Sequence, residues 1–347
     1  MRITILYSEN DGCDYHRLLL PTNYFDLEKN DSIKIVRHKD CYKDETIFDC
    51  DIVFLKRMMF EEWEVMNILR KKYGFKIVLD IDDYYILPYN HLYYTDWNRV
   101  KLGERLIEAC KQADLVFVTN ELLRDVYKVY NKNIFVIPNA LSFDVENRKT
   151  DSDKLRFLYV SGSTHYNDLK SISGLFQRLG TDTDFKKKAN FTLCGYNNPT
   201  NSKQNAWYSM ESICKKSNSY IRRDTLTLDK YMEHYNYGDI TVAPLEDTFF
   251  NSCKSNLKFL EASSTKKPFI CSNVLPFTAD KDHKGIVFCD KGQDWYKAFK
   301  FFINNPNAVE DYGEMNYEYG KRHYNIIETN KQRVEILREL IEHRSNG

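Results

Sequence analysis

The chain lacks any long apolar run. No stretch of its 347 residues approaches the roughly 20 consecutive apolar residues that a membrane-spanning helix needs. No integral membrane segment is expected, and any membrane association would be peripheral. The chain also lacks net charge. Fifty basic residues balance fifty acidic ones, which supplies no overall attraction to nucleic acid or to an anionic bilayer. A local basic face stays open. Paired cysteines are missing too, since the nine cysteines are scattered and form no Cys-x-x-Cys. Met1-Arg2 runs straight into the apolar Ile3–Tyr7, which reads as a strand and not as a secretory leader. Reduced thiols in a cytoplasmic protein are therefore expected. There is no Gly-x-Gly-x-x-Gly, Walker A loop, nucleophile elbow or His-Glu-x-x-His. These absences argue against a dehydrogenase, an NTPase, an α/β-hydrolase and a zinc protease.

What is present fits a folded enzyme of two domains. Hydrophobic residues make up 42% and charged residues 29%, near the average for folded domains. Aromatics reach 14%, with 25 Tyr and 21 Phe, enough for two cores with tyrosines left to line a ring-binding site. The length predicts two domains of about 150 residues. Short apolar runs alternate with helix-period stretches. In the first half the runs are Ile3–Tyr7, Ile33–Arg37, Asp51–Leu55, Lys76–Leu79, Leu115–Thr119 and Ile134–Ile137. Helical patterns lie between them at Arg17–Lys29, Glu61–Lys72, Arg99–Lys111 and Glu121–Tyr130. After a polar stretch the pattern restarts with Leu155–Val160, Asn190–Cys194, Asp239–Ala243, Pro268–Cys271 and Ile286–Cys289. Runs of this kind read as βαβ units on doubly wound parallel sheets. The expected organisation is a domain at 1–145, a linker at 146–154, a second domain at 155–325 and a C-terminal helix at 326–347 packing back. Tyr196–Ser219 reads as an extra surface helix or loop.

In open α/β sheets, ligands bind beyond the carboxyl ends of the strands, so the residues after each run matter most. In the second half Ala243-Pro244-Leu245 ends a strand, and a helix is expected to begin near Ser255. Amides at a helix start bind anions, and Lys254, Ser255, Asn256 and Lys258 surround that start. Glu261, two turns in, stands at the height where a carboxylate could accept from ribose hydroxyls. A capped amphipathic helix with a Lys258–Glu261 pair explains the same residues. Leu158-Tyr159-Val160-Ser161-Gly162-Ser163-Thr164-His165 is another strand–turn–helix, with Gly162 allowing close backbone approach and Ser163 or Thr164 able to cap or to touch phosphate. In the first half, the loop Gly12-Cys13-Asp14-Tyr15-His16-Arg17 follows the first strand, and Asp80-Ile81-Asp82-Asp83 follows the fourth. Three carboxylates after a strand could hold a divalent cation. Tyr84, Tyr85, Tyr89, His91, Tyr93, Tyr94 and Trp97 follow them, as core or as a surface on which sugars or bases stack.

Taken in order, these segments resemble the GT-B glycosyltransferases, in particular the retaining family four and a subgroup common in bacteria and phages. The stretch Cys253–Ala262 resembles that family's Glu-x7-Glu element. Glu261 matches the second Glu, which implies a ribose contact, whereas Cys253 stands where the first Glu would be. Gly162-Ser163-Thr164-His165-Tyr166-Asn167-Asp168-Leu169, the Gly12–Pro21 start and Ile137-Pro138-Asn139 are similar to family turns as well. The resemblance implies two Rossmann-like domains facing a cleft, no cofactor, and a nucleotide-sugar co-substrate, a UDP-sugar first. It implies Gly12, Ser163, His165, Lys254, Ser255, Asn256, Lys258 and Glu261 on the donor. His16, Arg17, Asp82 and Asp83 would serve the chemistry, with Arg17 balancing phosphate charge and no metal bound. The expected activity is hexosyl or pentosyl transfer with retention. The acceptor would be a surface glycan or a hydroxylated DNA base, the latter favoured if Lys186, Lys187, Lys188, Lys203, Lys215, Lys216, Arg222 and Arg223 form one basic face. A non-catalytic nucleotide-sugar or glycan-binding protein on the same fold is the alternative.

Overall fold

The computed structural model describes residues 1–8, 11–56, 63–144, 152–197 and 203–342, and the side chains of all of these but 203–205. Most of the expected linker lies outside the described residues, as do Glu61, His343 and the side chain of Lys203. The chain divides into two compact units. The first comprises Met1–Ala140, Cys253–Ser255 and Ile326–Gly347, and the second Leu141–Ser252 and Asn256–Asn325.

The first unit holds a six-stranded sheet made of β1 (Arg2–Tyr7), β2 (Ser32–Arg37), β3 (Ile52–Lys56), β4 (Lys76–Ile81), β5 (Leu115–Val118) and β6 (Ile134–Val136). Its order is β2-β1-β3-β4-β5-β6, with every pairing parallel. Alternation along the strands sorts the side chains to two buried faces. Val53, Leu55, Ile77, Leu79, Val116 and Val118 pack on one face against the helices Trp63–Tyr73 and Leu102–Gln112. Ile52, Phe54, Val78 and Phe117 pack on the other with Ile336 and Leu337. These last two belong to the helix Ile326–Glu342, so the C-terminal stripe covers the first sheet. The edge strand β2 is half-exposed, with Ser32, Lys34 and Arg37 along it, and charged side chains suit an edge.

The second unit repeats the plan with β7 (Leu155–Val160), β8 (Ala189–Tyr196), β9 (Tyr220–Asp224), β10 (Ile240–Ala243), β11 (Phe269–Ser272) and β12 (Ile286–Cys289). The order β12-β11-β10-β7-β8-β9 is again all parallel. Phe157 stacks on Phe299 at 3.9 Å, and Phe176 meets Phe191 edge-on at 4.8 Å, fixing helices to one face. The apolar-run reading missed β9, because an edge strand with the sequence Tyr-Ile-Arg-Arg-Asp carries no apolar run. It also missed the helix Ala308–His323. The helix expected over Arg17–Lys29 is instead a helical segment at 12–22, which ends soon after Pro21.

One buried charge cluster anchors the first unit. Arg17 is 1% exposed and grips Asp80 with two hydrogen bonds of 2.8 Å. Its third nitrogen donates to the Ile137 carbonyl and to Asn139. Arg333, also buried, has its guanidinium brought down to about 9 by burial and by the charge of Arg17, with Asp80 opposing. One carboxylate therefore serves two buried cations. Asp80→Asn is expected to cost the first unit about 3–5 kcal/mol, the range for stranding buried charge, read as a lower urea midpoint at unchanged slope.

Candidate functional site

In the second unit the strand order reverses between β7 and β10, and at such a switch point the loops diverge and leave room for a ligand. Here the two flanking loops are tied by one side chain. Asp168, on the helix Tyr166–Ser171, is 4% exposed. Its Oδ1 accepts from the Glu246 backbone N–H and from Asn251 Nδ2, both at 2.9 Å. Its Oδ2 lies 2.7 Å from His165 Nδ1. A carboxylate can only accept there, so it orients the ring and places the proton on Nδ1. The turn Gly162–His165 after β7 and the loop 244–251 after β10 are thus one rigid assembly. A Cβ at Gly162 would meet nothing nearer than 3.8 Å, so packing does not demand a glycine there. Gly195, at the end of β8, is demanded: its φ is +94°, and a Cβ would lie 2.4 Å from the Ser161 carbonyl.

The helix expected near Ser255 runs over Leu257–Ser264. Asn256 flanks its start, and its amide donates to buried Asp280 at 2.9 Å. Glu261 is 0% exposed. Its Oε2 accepts from Tyr235 at 2.5 Å, Lys258 at 3.0 Å and Tyr231 at 3.3 Å. Lys258 also donates to the Tyr231 hydroxyl at 2.7 Å. Burial works against the Lys258 ammonium, but Glu261 prevails and holds its pKa above the usual value. Tyr231 and Tyr235 stand four apart on the helical segment Leu228–Tyr237, a spacing that could have flagged them. Beyond the carboxyl ends of β10, β11 and β12 lies a cavity of about 290 Å³, lined by Glu246, Asp247, Ser272, Asn273, Asp290 and Lys291 among others.

The remaining expected residues sit in the first unit. Lys254 pairs with Asp83 at 3.1 Å, and the Ser255 hydroxyl accepts from Asn139 at 2.8 Å. Both belong to Cys253–Ser255, which clusters with the first unit, whereas Asn256, Lys258 and Glu261 belong to the second. His16 is 5% exposed and lies edge-on to Tyr15 at 5.2 Å. Gly12 is exposed, with room for a Cβ. The three carboxylates part company, and β4 runs on through Asp80, so that only Asp82 and Asp83 follow it. Asp80 turns to Arg17, Asp83 to Lys254, and Asp82 lies 3.6 Å from buried Lys56 while accepting from Tyr85 at 2.5 Å. Lys56 also has Asp14 at 3.5 Å and Asp11 at 3.8 Å. Sequence reasoning did not single out Lys56, because a lysine ending an apolar strand carries no signal of its own. Among the described residues no group of three or more His, Cys, Asp or Glu is placed to hold a metal ion. No described helix is long and apolar enough to cross a membrane.

Solved structures resemble the chain along nearly its whole length. Sucrose-phosphate synthase from Thermosynechococcus elongatus superposes with a TM-score of 0.70 at 13% identity, covering 99% of both chains. HepE from Anabaena, in complex with UDP-glucose, gives 0.70 at 11% identity over 98% of this chain and 100% of that one. A trehalose-6-phosphate synthase studied for glycosyltransfer with retention gives 0.65 at 11%, over 98% and 99%. No family model and no curated protein matches the sequence. With two six-stranded parallel sheets flanked by helices, the chain has the GT-B fold.

His234 adds a pH dependence at this site. Burial, and then the Lys258 charge, bring its pKa from the usual 6.5 to about 4, with Glu261 opposing. Its Nε2 accepts from the Leu226 N–H, which requires the neutral ring. Between pH 6.5 and about 4 the unfolded chain therefore binds a proton that the folded chain refuses. Stability should fall through that window as pH falls, by on the order of 3 kcal/mol. His234→Gln should flatten that part of a urea-midpoint-against-pH profile.

Proposed function

We propose that this protein is a glycosyltransferase that moves a sugar from a UDP-sugar to an acceptor hydroxyl with retention. The observation that carries the reading is Asp168, which locks the turn after β7 to the loop after β10 at the switch point of the second sheet. Pre-organised backbone at that edge is what a diphosphate needs. In this reading the second unit binds the donor and the first presents the acceptor. Ser163, His165 and Lys258 meet the diphosphate. Glu261 holds Lys258 and Tyr231 in place, and a ribose hydroxyl reaches its carboxylate by displacing Tyr231, the longest of its three contacts. The bond from the anomeric carbon to the phosphate oxygen breaks as the bond to the acceptor oxygen forms on the same face. The departing diphosphate takes the acceptor proton, so no protein nucleophile is required. Asp82, held by Tyr85 beside Lys56, orients the acceptor, with Asp83 and His16 in the same unit. Arg17, sealed on Asp80, supports this floor from beneath and does not touch substrate. UDP is favoured because HepE was solved with UDP-glucose, and retention because the trehalose-6-phosphate synthase performs it.

A thermal-shift screen against UDP, GDP, CMP, ADP and dTDP tests the donor assignment. UDP at 100 times its dissociation constant should stabilise by about 2.7 kcal/mol, and the others by less. Asp168→Asn and Glu261→Gln, both close in shape, should abolish the shift. Stabilisation by no nucleotide, or a shift that survives in both variants, would overturn the assignment.

A further inference from the structure

The segment that follows β4 has a composition that neither the fold nor the Asp82 floor requires. Residues 82–101 contain six aromatic side chains in twenty positions: Tyr84, Tyr85, Tyr89, Tyr93, Tyr94 and Trp97. The structure builds three of them into a ladder. Tyr85 stacks on Trp97 at 5.4 Å, and Trp97 lies within 8° of parallel to Tyr93 at 6.0 Å. His91 tilts against the middle and one outer member, 6.2 Å from Trp97 and 5.9 Å from Tyr93. The ladder is bolted to the acceptor floor, because Tyr85 at its buried end donates its hydroxyl to Asp82 at 2.5 Å. Around it the loop stays in solvent: Tyr89 is 84% exposed, Ile86 50%, Val100 40% and Leu92 37%. Apolar surface held in water by an ordered aromatic framework marks a binding surface.

The charges near this surface say which ligand it takes. The segment carries Asp82, Asp83 and Asp96 against Arg99 and Lys101. The cations at hand are already committed: Arg99 to Asp96 at 3.5 Å, Lys101 to Glu104 at 3.6 Å, and Lys254 to Asp83 at 3.1 Å. A phosphodiester chain finds no surplus positive charge here, and nucleic-acid affinity depends on such charge. A neutral saccharide needs none. Its ring hydrogens pack on aromatic faces, and its hydroxyls donate to carboxylates.

The geometry points to segment 82–101 as a subsite for a neutral oligosaccharide, with the residue that receives the new bond at Asp82 and the preceding sugars along the aromatic surface by Tyr89. This deepens the glycosyltransferase reading and rests on it for the role of the bound sugar, but binding itself requires no donor. Trp97 supplies a reporter. Of the four tryptophans, Trp63, Trp207 and Trp295 are at most 6% exposed, whereas Trp97 is half-buried. Acrylamide quenching of the full chain therefore reads chiefly Trp97. The probes are maltotriose, cellotriose and chitotriose, with a ten-residue oligothymidylate as the anionic alternative. At least one trisaccharide should shield Trp97 saturably, and Tyr89→Ala, a surface change that leaves the ladder intact, should weaken that binding roughly 3- to 10-fold. Shielding by the oligonucleotide alone, shielding by no probe, or an affinity untouched by Tyr89→Ala would each overturn the subsite. A failed nucleotide screen would leave this readout standing, so the two readings fall separately.

Discussion

A carboxylate buried behind the end of a strand must collect hydrogen bonds or unfold its surroundings, and Asp168 collects three from two different segments. The donors are a backbone amide of one loop, a side chain of the same loop and the imidazole of the preceding turn. Removing water from such a group is affordable only when all its partners are held at once. The carboxylate thus forces the turn after β7 and the loop after β10 into a single conformation. The turn and loop proposed to receive the diphosphate depend on that constraint, since a diphosphate gains from amides that are fixed before it arrives.

The same rule shapes the first unit with the charges rearranged. Arg17 and Asp80 are a bidentate pair at full burial, and the Arg333 guanidinium beside them loses basicity instead of gaining a second carboxylate. One residue pair further along, Asp82 is shared between a tyrosine and a lysine, and Asp83 belongs to Lys254. A run that reads in sequence as three equivalent acids is, in space, three separate ion pairs. The alternation of a strand and the turn after it send successive side chains in different directions. The acidic run is therefore a floor with graded depth, buried at Asp80 and nearer solvent at Asp83.

Glu261 shows how neighbours distant in sequence set the duty of a buried carboxylate. Two tyrosines and a lysine enclose its carboxylate, so the groups it presents outward are those it holds. Tertiary contacts decide what the carboxylate touches. His234 belongs to the same enclosure and stays neutral because it is buried away from water and, secondarily, because the Lys258 cation lies close.

Much of the architecture was legible in the chain itself. Doubly buried parallel strands require continuous apolar runs such as Ile52–Lys56 and Ile240–Ala243, and these runs, with helices between them, determined two parallel α/β sheets. The order of the turns after these runs resembled the GT-B plan, and the fold bears that out. What the chain could not express was anything resting on side chains far apart in sequence. The polar edge strand β9 lacks the apolar signal. The partners of Asp168 lie 78 and 83 positions away, Arg17 and Asp80 are 63 apart, and Tyr235 reaches Glu261 across 26. Local periodicity records which face a residue takes, because burial follows the repeat of its own helix or strand. It holds no record of which other element arrives at that face, so the tertiary structure alone decided which carboxylate met which cation.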